Sequence, residues 1–366
     1  MTTYAQSNPY ELWSFRKSIG IFRNVIPAFS YWLPMFTQQV NSTDEYIDFE
    51  KLPALNRRLA PFVRPLGSGK PIYTDQSTAY RFKPAYIKLK DAIDPTRVLS
   101  KIPGIDSILD PTVANNPMAR REALRVAMSV QHVNAIQRRW EWLAARAIID
   151  GQVTISGEEY PAVQLDFRRD AGQTITLGSG SRWGDSGVSI MSLIQTWCDL
   201  MFQPVGGFGG FPTRLTMGSS AWAIMRQDTE IKDLMNKFYP VAADVERGLI
   251  ASEKVVKVGQ LPIGGANGIT LDLYLYRDSY AADDGTDTPM MNATDVVLTS
   301  TPEAISGFQC FGAIVDPFAQ YQSLEIFPRN WMEEGDPAVE YLLHQSAPLM
   351  VPVNPNATLK ATVTAS

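Results

Sequence analysis

The chain has 366 residues, of which 45% are hydrophobic, and a formal net charge of -5. This length predicts two domains, or one domain with large insertions, and enough apolar side chain to bury a sizeable core. The acidic balance argues against a protein dedicated to gripping nucleic acid, because neutralising phosphates requires clustered Lys and Arg. Cys198 and Cys310 are far apart and form no CxxC motif, so we expect reduced thiols.

The first 45 residues are rich in aromatic side chains but are broken by prolines. Arg23 and Asn24 interrupt the apolar run, which excludes a signal peptide or a membrane span. Two interpretations remain open: an arm that packs its aromatic side chains on a neighbouring subunit, or an edge of the chain's own core. The first interpretation makes three residues candidate intersubunit contacts: Trp13, Phe22 and Trp32.

Residues 46–90 alternate between polar and apolar side chains, which predicts antiparallel strands at Tyr46–Phe49, Ile72–Thr74, Tyr80–Lys83 and Ile87–Lys90. Prolines between them exclude central strands and favour a long two-stranded projection. An isolated hairpin is marginal in water, so we expect it to lie on another copy of the chain. The candidate contacts are the tip (Gly67, Ser68, Gly69, Lys70), the basic residues Arg81, Lys83 and Lys88, and the oppositely charged Glu333 and Glu334.

The spacing of apolar side chains predicts one helix of about nine turns over Asn116–Gly151. Asn116 is a suitable N-cap, Pro117 fits the first helical position, and Gly151 suits the left-handed stop. A break at Gln131 and His132, giving two shorter helices, is the alternative. We expect the apolar stripe to pack on a sheet and these polar residues to face solvent: Glu122, Arg125, Ser129, Asn134, Arg138 and Glu141.

The rest of the chain predicts a second domain of the α+β class. Strands at Val153–Ile155 and Val163–Phe167 precede a Gly/Ser-rich boundary at Gly178–Gly187. An amphipathic helix at Ile190–Met201 follows. Further strands are expected at Arg214–Met217, Leu271–Tyr276, Asp295–Thr299 and Phe308–Ile314, with helices near residues 221–226 and 229–237.

The sequence offers little material for catalysis. The Gly67–Lys70 run departs from a phosphate-binding loop, because Arg64 replaces the first glycine and Pro71 replaces the Ser or Thr that binds Mg²⁺. His132 and His344 are the two histidines of the whole chain, too few for a histidine zinc site or a Ser-His-Asp triad. We therefore expect no enzyme activity, no cofactor and no metal site.

The carboxy-terminal stretches Phe327–Trp331, Gly335–Ala338 and Gln345–Met350 resemble the end of the major capsid proteins of phage lambda and its relatives. A weaker similarity lies at Phe82–Lys88. Between residues 170 and 320 the resemblance is one of layout.

The resemblance implies a Hong Kong 97-type capsid fold. Its parts would be an N-terminal arm (1–45), an extended loop (46–95), a peripheral domain (96–185 and 320–366) with a spine helix (117–150), and an axial domain (186–319). It implies a virion shell of hexamers and pentamers, assembled in the bacterial cytoplasm, that encloses double-stranded DNA without sequence-specific contacts. Its partners would be a separate scaffolding protein, a portal and a decoration protein. An encapsulin-like compartment of the same fold is the alternative.

Overall fold

The structure is a computed structural model that describes residue 18 and residues 29–51, 78–99, 117–157, 160–202, 209–238, 254–263, 269–282, 285–333, 335–336 and 338–365. Its α-helices are α1 Pro95–Leu99, α2 Pro117–Ile149, α3 Ile190–Phe202, α4 Ser219–Met225, α5 Thr229–Phe238 and α6 Pro302–Ile305. Its 3-10 turns are Leu33–Met35, Ala171–Gln173, Pro317–Ala319 and Pro355–Ala357.

The strands, numbered along the chain, divide between sheets and hairpins. They are β1 Gln38–Asn41, β2 Ile47–Lys51, β3 Thr78–Phe82, β4 Ile87–Ile93, β5 Gln152–Gly157, β6 Tyr160–Asp166, β7 Thr174–Thr176, β8 Pro212–Met217, β9 Val255–Ile263, β10 Ile269–Tyr276, β11 Ser279–Ala281, β12 Asp287–Pro289, β13 Asp295–Ser300, β14 Gly307–Phe311, β15 Phe327–Glu333, β16 Val339–Ser346, β17 Pro348–Pro352 and β18 Thr358–Thr362.

Helix α2 is the longest element that the structure describes. Its 33 residues run without a break through Gln131 and His132, for a length of about 50 Å. Gly151 ends it in the left-handed region at φ +67°, where an added Cβ would lie 2.9 Å from Nε of Arg169. The predicted single helix is confirmed, and the alternative of two shorter helices is wrong. The predicted cap Asn116 lies outside the described residues.

Helix α2 packs on two three-stranded sheets, β15-β16-β4 and β1-β14-β17, as expected for a helix lying across a sheet. Strand β16 pairs antiparallel with β15 and with β4, while β14 pairs parallel with β1 and antiparallel with β17. The core beneath the helix consists of large apolar side chains from the helix and from the second of these sheets. They include Ile136, Trp140, Leu143, Ile148, Phe311, Leu349 and Met350.

A six-stranded mixed sheet of order β7-β18-β13-β8-β10-β9 forms the second part of the fold. Helices α3, α4 and α5 match the predicted helices. All three pack on this sheet and form one hydrophobic core with it, separate from the core beneath α2. Its central side chains include Ile194, Trp197, Met201, Leu215, Trp222, Ile231 and Leu273.

The order of the strands differs from the sequence prediction in two ways. Strands β2 and β3 do form an antiparallel hairpin, but β4 pairs with β16, so Ile87–Lys90 does not continue the projection. Strand β14, predicted as part of the second domain, pairs instead with β1 and β17, and the carboxy-terminal strand β18 joins the six-stranded sheet beside β7. These pairings join segments far apart in the chain, and local alternation of side chains carries no information about which partner a strand selects. The predicted strand Ile72–Thr74 lies outside the described residues.

Candidate functional site

One face of helix α2 buries polar side chains against the sheet β15-β16-β4. Arg121, Arg125, Ser129 and His132 follow each other at intervals of three or four residues, which places them on one helical stripe. All four are buried, as is Glu141 nearer the end of the helix. The prediction that Arg125, Ser129 and Glu141 face solvent is therefore wrong, because buried partners for Arg125 and Glu141 come from distant parts of the chain. We call the contact between this stripe and the sheet the polar seam.

Glu340 of β16 is the centre of the polar seam. Its Oε2 accepts a hydrogen bond from Nε of Arg121 at 2.8 Å, and its other oxygen pairs with Arg125. Each of the three side chains is less than a tenth exposed. A carboxylate between two guanidinium groups satisfies charges that would otherwise be strongly unfavourable in a dry interior.

The two histidines of the chain meet in the same seam. Nδ1 of His132 lies 2.7 Å from Nδ1 of His344, and Nε2 of His132 lies 3.1 Å from Oδ2 of Asp91 on β4. With both rings neutral, His344 donates to His132, which donates to Asp91; with one added proton, His132 donates to both neighbours. A second proton would leave two donors facing each other. Burial, together with the adjacent His132, lowers the pKa of His344 to about 3.

Glu141 fastens the segment around Trp32 to the same helix. Its carboxylate accepts the backbone N–H groups of Tyr31, Trp32 and Leu33 at 2.8 to 2.9 Å. Burial raises the pKa of Glu141, and these hydrogen bonds offset part of the rise. The indole of Trp32 is fully buried in its own chain, so the prediction that Trp32 contacts another subunit is wrong. Here the second interpretation of the aromatic residues, an edge of the chain's own core, is correct.

Ion pairs also hold the second half of helix α2. Arg138 pairs with the buried Asp278, which Lys254 contacts at 3.0 Å. Just beyond the helix, Asp150 accepts from Nζ of Lys360 on β18 at 2.9 Å. Charged side chains thus connect the region of helix α2 to the three-stranded sheet β15-β16-β4, through Glu340, and to the six-stranded sheet, through Lys360.

The polar seam holds its charged groups in paired, buried contacts, which suit a structural role. Among the described residues, no group of three or more His, Cys, Asp or Glu side chains is arranged to hold a metal ion. Both cysteines are buried and free, and burial raises the pKa of each thiol to about 12.

No helix in the described part of the chain is both long and apolar enough to cross a membrane.

Arg81 on β3 and Lys83 just after it are exposed, and both pair with carboxylates on or just before β2. Nε of Arg81 donates to Asp48 at 2.8 Å, and Nζ of Lys83 donates to Glu45 at 2.9 Å. The hydrogen bond from Arg81 lowers the pKa of Asp48. Within one chain, Arg81 and Lys83 therefore pair with these carboxylates, and their predicted contact with Glu333 of another copy stays a prediction.

The remaining predicted contacts are scattered. Lys88 is exposed on β4 with its Nζ 5.8 Å from the ring centre of Tyr86, and Glu333 is exposed at the end of β15. The others lie outside the described residues: Trp13, Phe22, Gly67, Ser68, Gly69, Lys70 and Glu334.

Sequence reasoning missed the partners in the seam, above all Glu340 and His344. Both lie on β16 with Leu342 between them, and the period of two in a strand puts all three on one face. The sequence did contain a signal for these partners: two polar residues on the same face of a strand as a buried leucine. Because buried polar groups need hydrogen-bond partners, this pattern predicts that the element packed on the strand also buries polar side chains.

Comparison with known proteins gives a consistent result. A family model described as phage major capsid protein E matches residues 31–363. The major capsid protein of Enterobacteria phage P21 is 25% identical over 354 residues, which cover 94% of this chain and 97% of that protein. The major capsid protein of Escherichia phage lambda is 24% identical over 324 residues, or 88% and 90% of the two chains.

A solved structure shares the fold. A capsid protein of a prophage of E. coli CFT073 superposes with a TM-score of 0.70 at 23% identity, over 97% of this chain and all of that one. The resemblance found at the carboxy terminus therefore extends over nearly the whole chain.

Proposed function

The chain belongs to the phage major capsid protein E family and is a structural protein of a phage virion, and we propose that it builds an icosahedral shell of hexamers and pentamers around packaged double-stranded DNA. The match of the family to residues 31–363 is the observation that carries this proposal. The names of the relatives favour a phage head over an encapsulin-like compartment. The family is a class of structural proteins and not of enzymes.

The polar seam supports this function by making the subunit rigid. A shell subunit is covered by neighbours at its edges, so its elements must keep their relative positions while many weak contacts form. The buried charged pairs form only when α2 and its sheet are aligned in one way. They therefore specify how α2 lies on the sheet, a role for which buried polar groups are suited. We propose that α2 is the spine helix of a Hong Kong 97-type fold and that the six-stranded sheet is the core of its axial domain.

We propose that the first 45 residues and the loop that starts with β2 reach neighbouring subunits. The β2–β3 hairpin supports this proposal, because the two strands pair antiparallel and carry exposed charged side chains on either side of residues 52–77. In the assembled shell, Arg81 and Lys83 would then exchange or share carboxylates with a neighbour.

The proposed partners are a scaffolding protein, a portal at one vertex and a decoration protein. Assembly would take place in the bacterial cytoplasm. With a net charge of -5, the chain would enclose DNA without sequence-specific contacts.

Deleting residues 66–78 is expected to leave a folded subunit that cannot build stable shells. The deletion removes the predicted tip of the loop together with Thr78, the first residue of β3, while sparing the two hydrophobic cores. Thermal melting of the subunits checks the fold, and sedimentation of the assembled fraction checks the shells. Normal particles from the shortened chain would refute the intersubunit role of the loop.

A further inference from the structure

Three large apolar side chains project into solvent from the seven-residue turn Val315–Tyr321. Val315 is 68% exposed, Phe318 is 72% exposed and Tyr321 is 56% exposed. Single exposed apolar residues need no explanation, but three in one turn form a patch of the kind that marks an interaction site. No motif in the sequence predicts a role for this turn.

Hydrogen bonds to buried polar side chains on the inner side of the turn hold its backbone in place. Oδ1 of Asp316 accepts the N–H of Phe318 at 2.9 Å, and Oδ2 accepts from Arg329 at 3.0 Å and from Gln345 at 2.9 Å. The hydroxyl of Tyr86 accepts the N–H of Val315 at 3.1 Å and donates to Gln345. Asp316 and Gln345 are both buried, so these hydrogen bonds are shielded from water.

The backbone and one ring of the turn are also fixed. Gln320 and Tyr321 both have left-handed backbone angles, with φ of 53° and 55°, which residues other than glycine adopt only when their surroundings impose it. The guanidinium of Arg329 lies 4.0 Å from the ring centre of Phe318. A turn that is strained, anchored and apolar on its outer side is preorganised, and preorganisation lowers the entropic cost of binding.

We infer that the Val315–Tyr321 turn is an intersubunit contact that packs its apolar side chains on a second copy of this chain. The inference rests on the shell function proposed above and adds a contact to it. Nucleic acid does not suit the patch, because residues 315–321 include no Lys or Arg and the adjacent Arg329 is paired with Asp316. A membrane surface does not suit it either, because interfacial anchoring uses an amphipathic helix and this turn is a short 3-10 segment.

A second copy of the chain has a surface of matching chemistry. A groove of about 700 Å³ lies on the other side of Tyr86, between α2, the β5–β6 hairpin and β11. Its lining combines apolar and aromatic side chains (Ala135, Trp142, Leu143, Ile155 and Tyr280) with the cationic side chains of Arg138, Arg139 and Lys254. Aromatic rings such as those of Phe318 and Tyr321 can pack against both kinds of side chain. Head-to-tail contacts in a ring join two different patches of the same chain, so this turn and the groove can serve as one such pair.

The test compares two substitutions at one position, Phe318→Ser and Phe318→Leu. The serine variant is expected to show about a tenfold lower fraction of subunits in shells, the effect of losing one aromatic anchor, whereas leucine retains most assembly. Because Phe318 is exposed, unassembled subunits of both variants should melt as the unmodified chain does. Normal assembly of Phe318→Ser would overturn the inference and leave the shell function standing, whereas an unmodified chain that forms no shells would overturn both.

A labelling experiment keeps the test decisive if the serine variant folds poorly. Phe318→Cys is treated with a maleimide, either in shells or in dissociated subunits, against the low background of the buried Cys198 and Cys310. Labelling at least about tenfold slower in shells is expected if a second copy covers the turn. Equal labelling rates in the two states would overturn the inference.

Discussion

Replacing Glu340 with glutamine is expected to lower the free energy of unfolding by about 3–5 kcal/mol, the cost of breaking a buried charge pair by removing one partner. The substitution is nearly isosteric, so packing changes little, but the buried guanidinium groups of Arg121 and Arg125 lose the charge of Glu340, while Arg125 keeps its 3.3 Å contact with Glu122. Chemical denaturation of unassembled subunits, followed by tryptophan fluorescence, measures the change.

Two comparisons separate the loss of the pair from a general effect of charge. Glu333→Gln makes the same change at an exposed position on β15 and should alter stability by no more than about 0.5 kcal/mol. Replacing Arg121, Arg125 and Glu340 together by apolar residues should recover much of the lost stability, because no buried charge remains unpaired. Equal effects of Glu340→Gln and Glu333→Gln would show that the polar seam contributes no more than a surface charge.

Acid is expected to destabilise the folded subunit through His344. Its pKa is about 3 when folded, against about 6.5 for an unfolded histidine, so between these values the unfolded chain binds a proton that the folded chain does not. Stability from this group is complete above pH 6.5 and decreases by about 1.4 kcal/mol for each pH unit below it. At pH 4.5 the expected loss is about 3 kcal/mol.

The measurement is the free energy of unfolding of unassembled subunits from pH 7.5 to pH 4.5, for the unmodified chain and for His344→Leu. Carboxylates titrate in both proteins, so the difference between the two profiles isolates the histidine pair. His344→Leu should be less stable at pH 7.5, because Nδ1 of His132 loses its contact with His344, but its profile should be flatter below pH 6.5. Parallel profiles would contradict the geometry assigned to His132 and His344.

Local signals in the sequence predict the elements of this fold well. The proline and glycine around α2 and the amphipathic pattern of α3 give both helices to within a few residues. Alternation likewise identifies β5, β6, β8, β10 and β13. These signals depend on neighbours within one or two turns of the chain, and a single sequence contains them.

Non-local pairing and the polar seam could not be predicted in the same way. Arg125 and Glu141 were assigned to solvent because they are charged, yet their partners lie about 215 and 110 residues away in the chain, at Glu340 and at Tyr31 to Leu33. The error for Trp32 was the opposite one. An aromatic residue in a segment broken by prolines was expected to be exposed to a neighbouring subunit, but Glu141 binds the backbone N–H of Trp32 and holds this segment against the core. The strained turn at Val315–Tyr321 depends on Asp316, Arg329 and Gln345, which converge only after folding.

Electron microscopy of the protein expressed together with its scaffolding protein tests the central claim most directly. We predict closed particles built from rings of six and five copies, with α2 of each copy packed on its own sheets and the Val315–Tyr321 turn covered by a neighbour. A preparation that contains only separate subunits at micromolar concentration, with scaffolding protein present, would contradict the account.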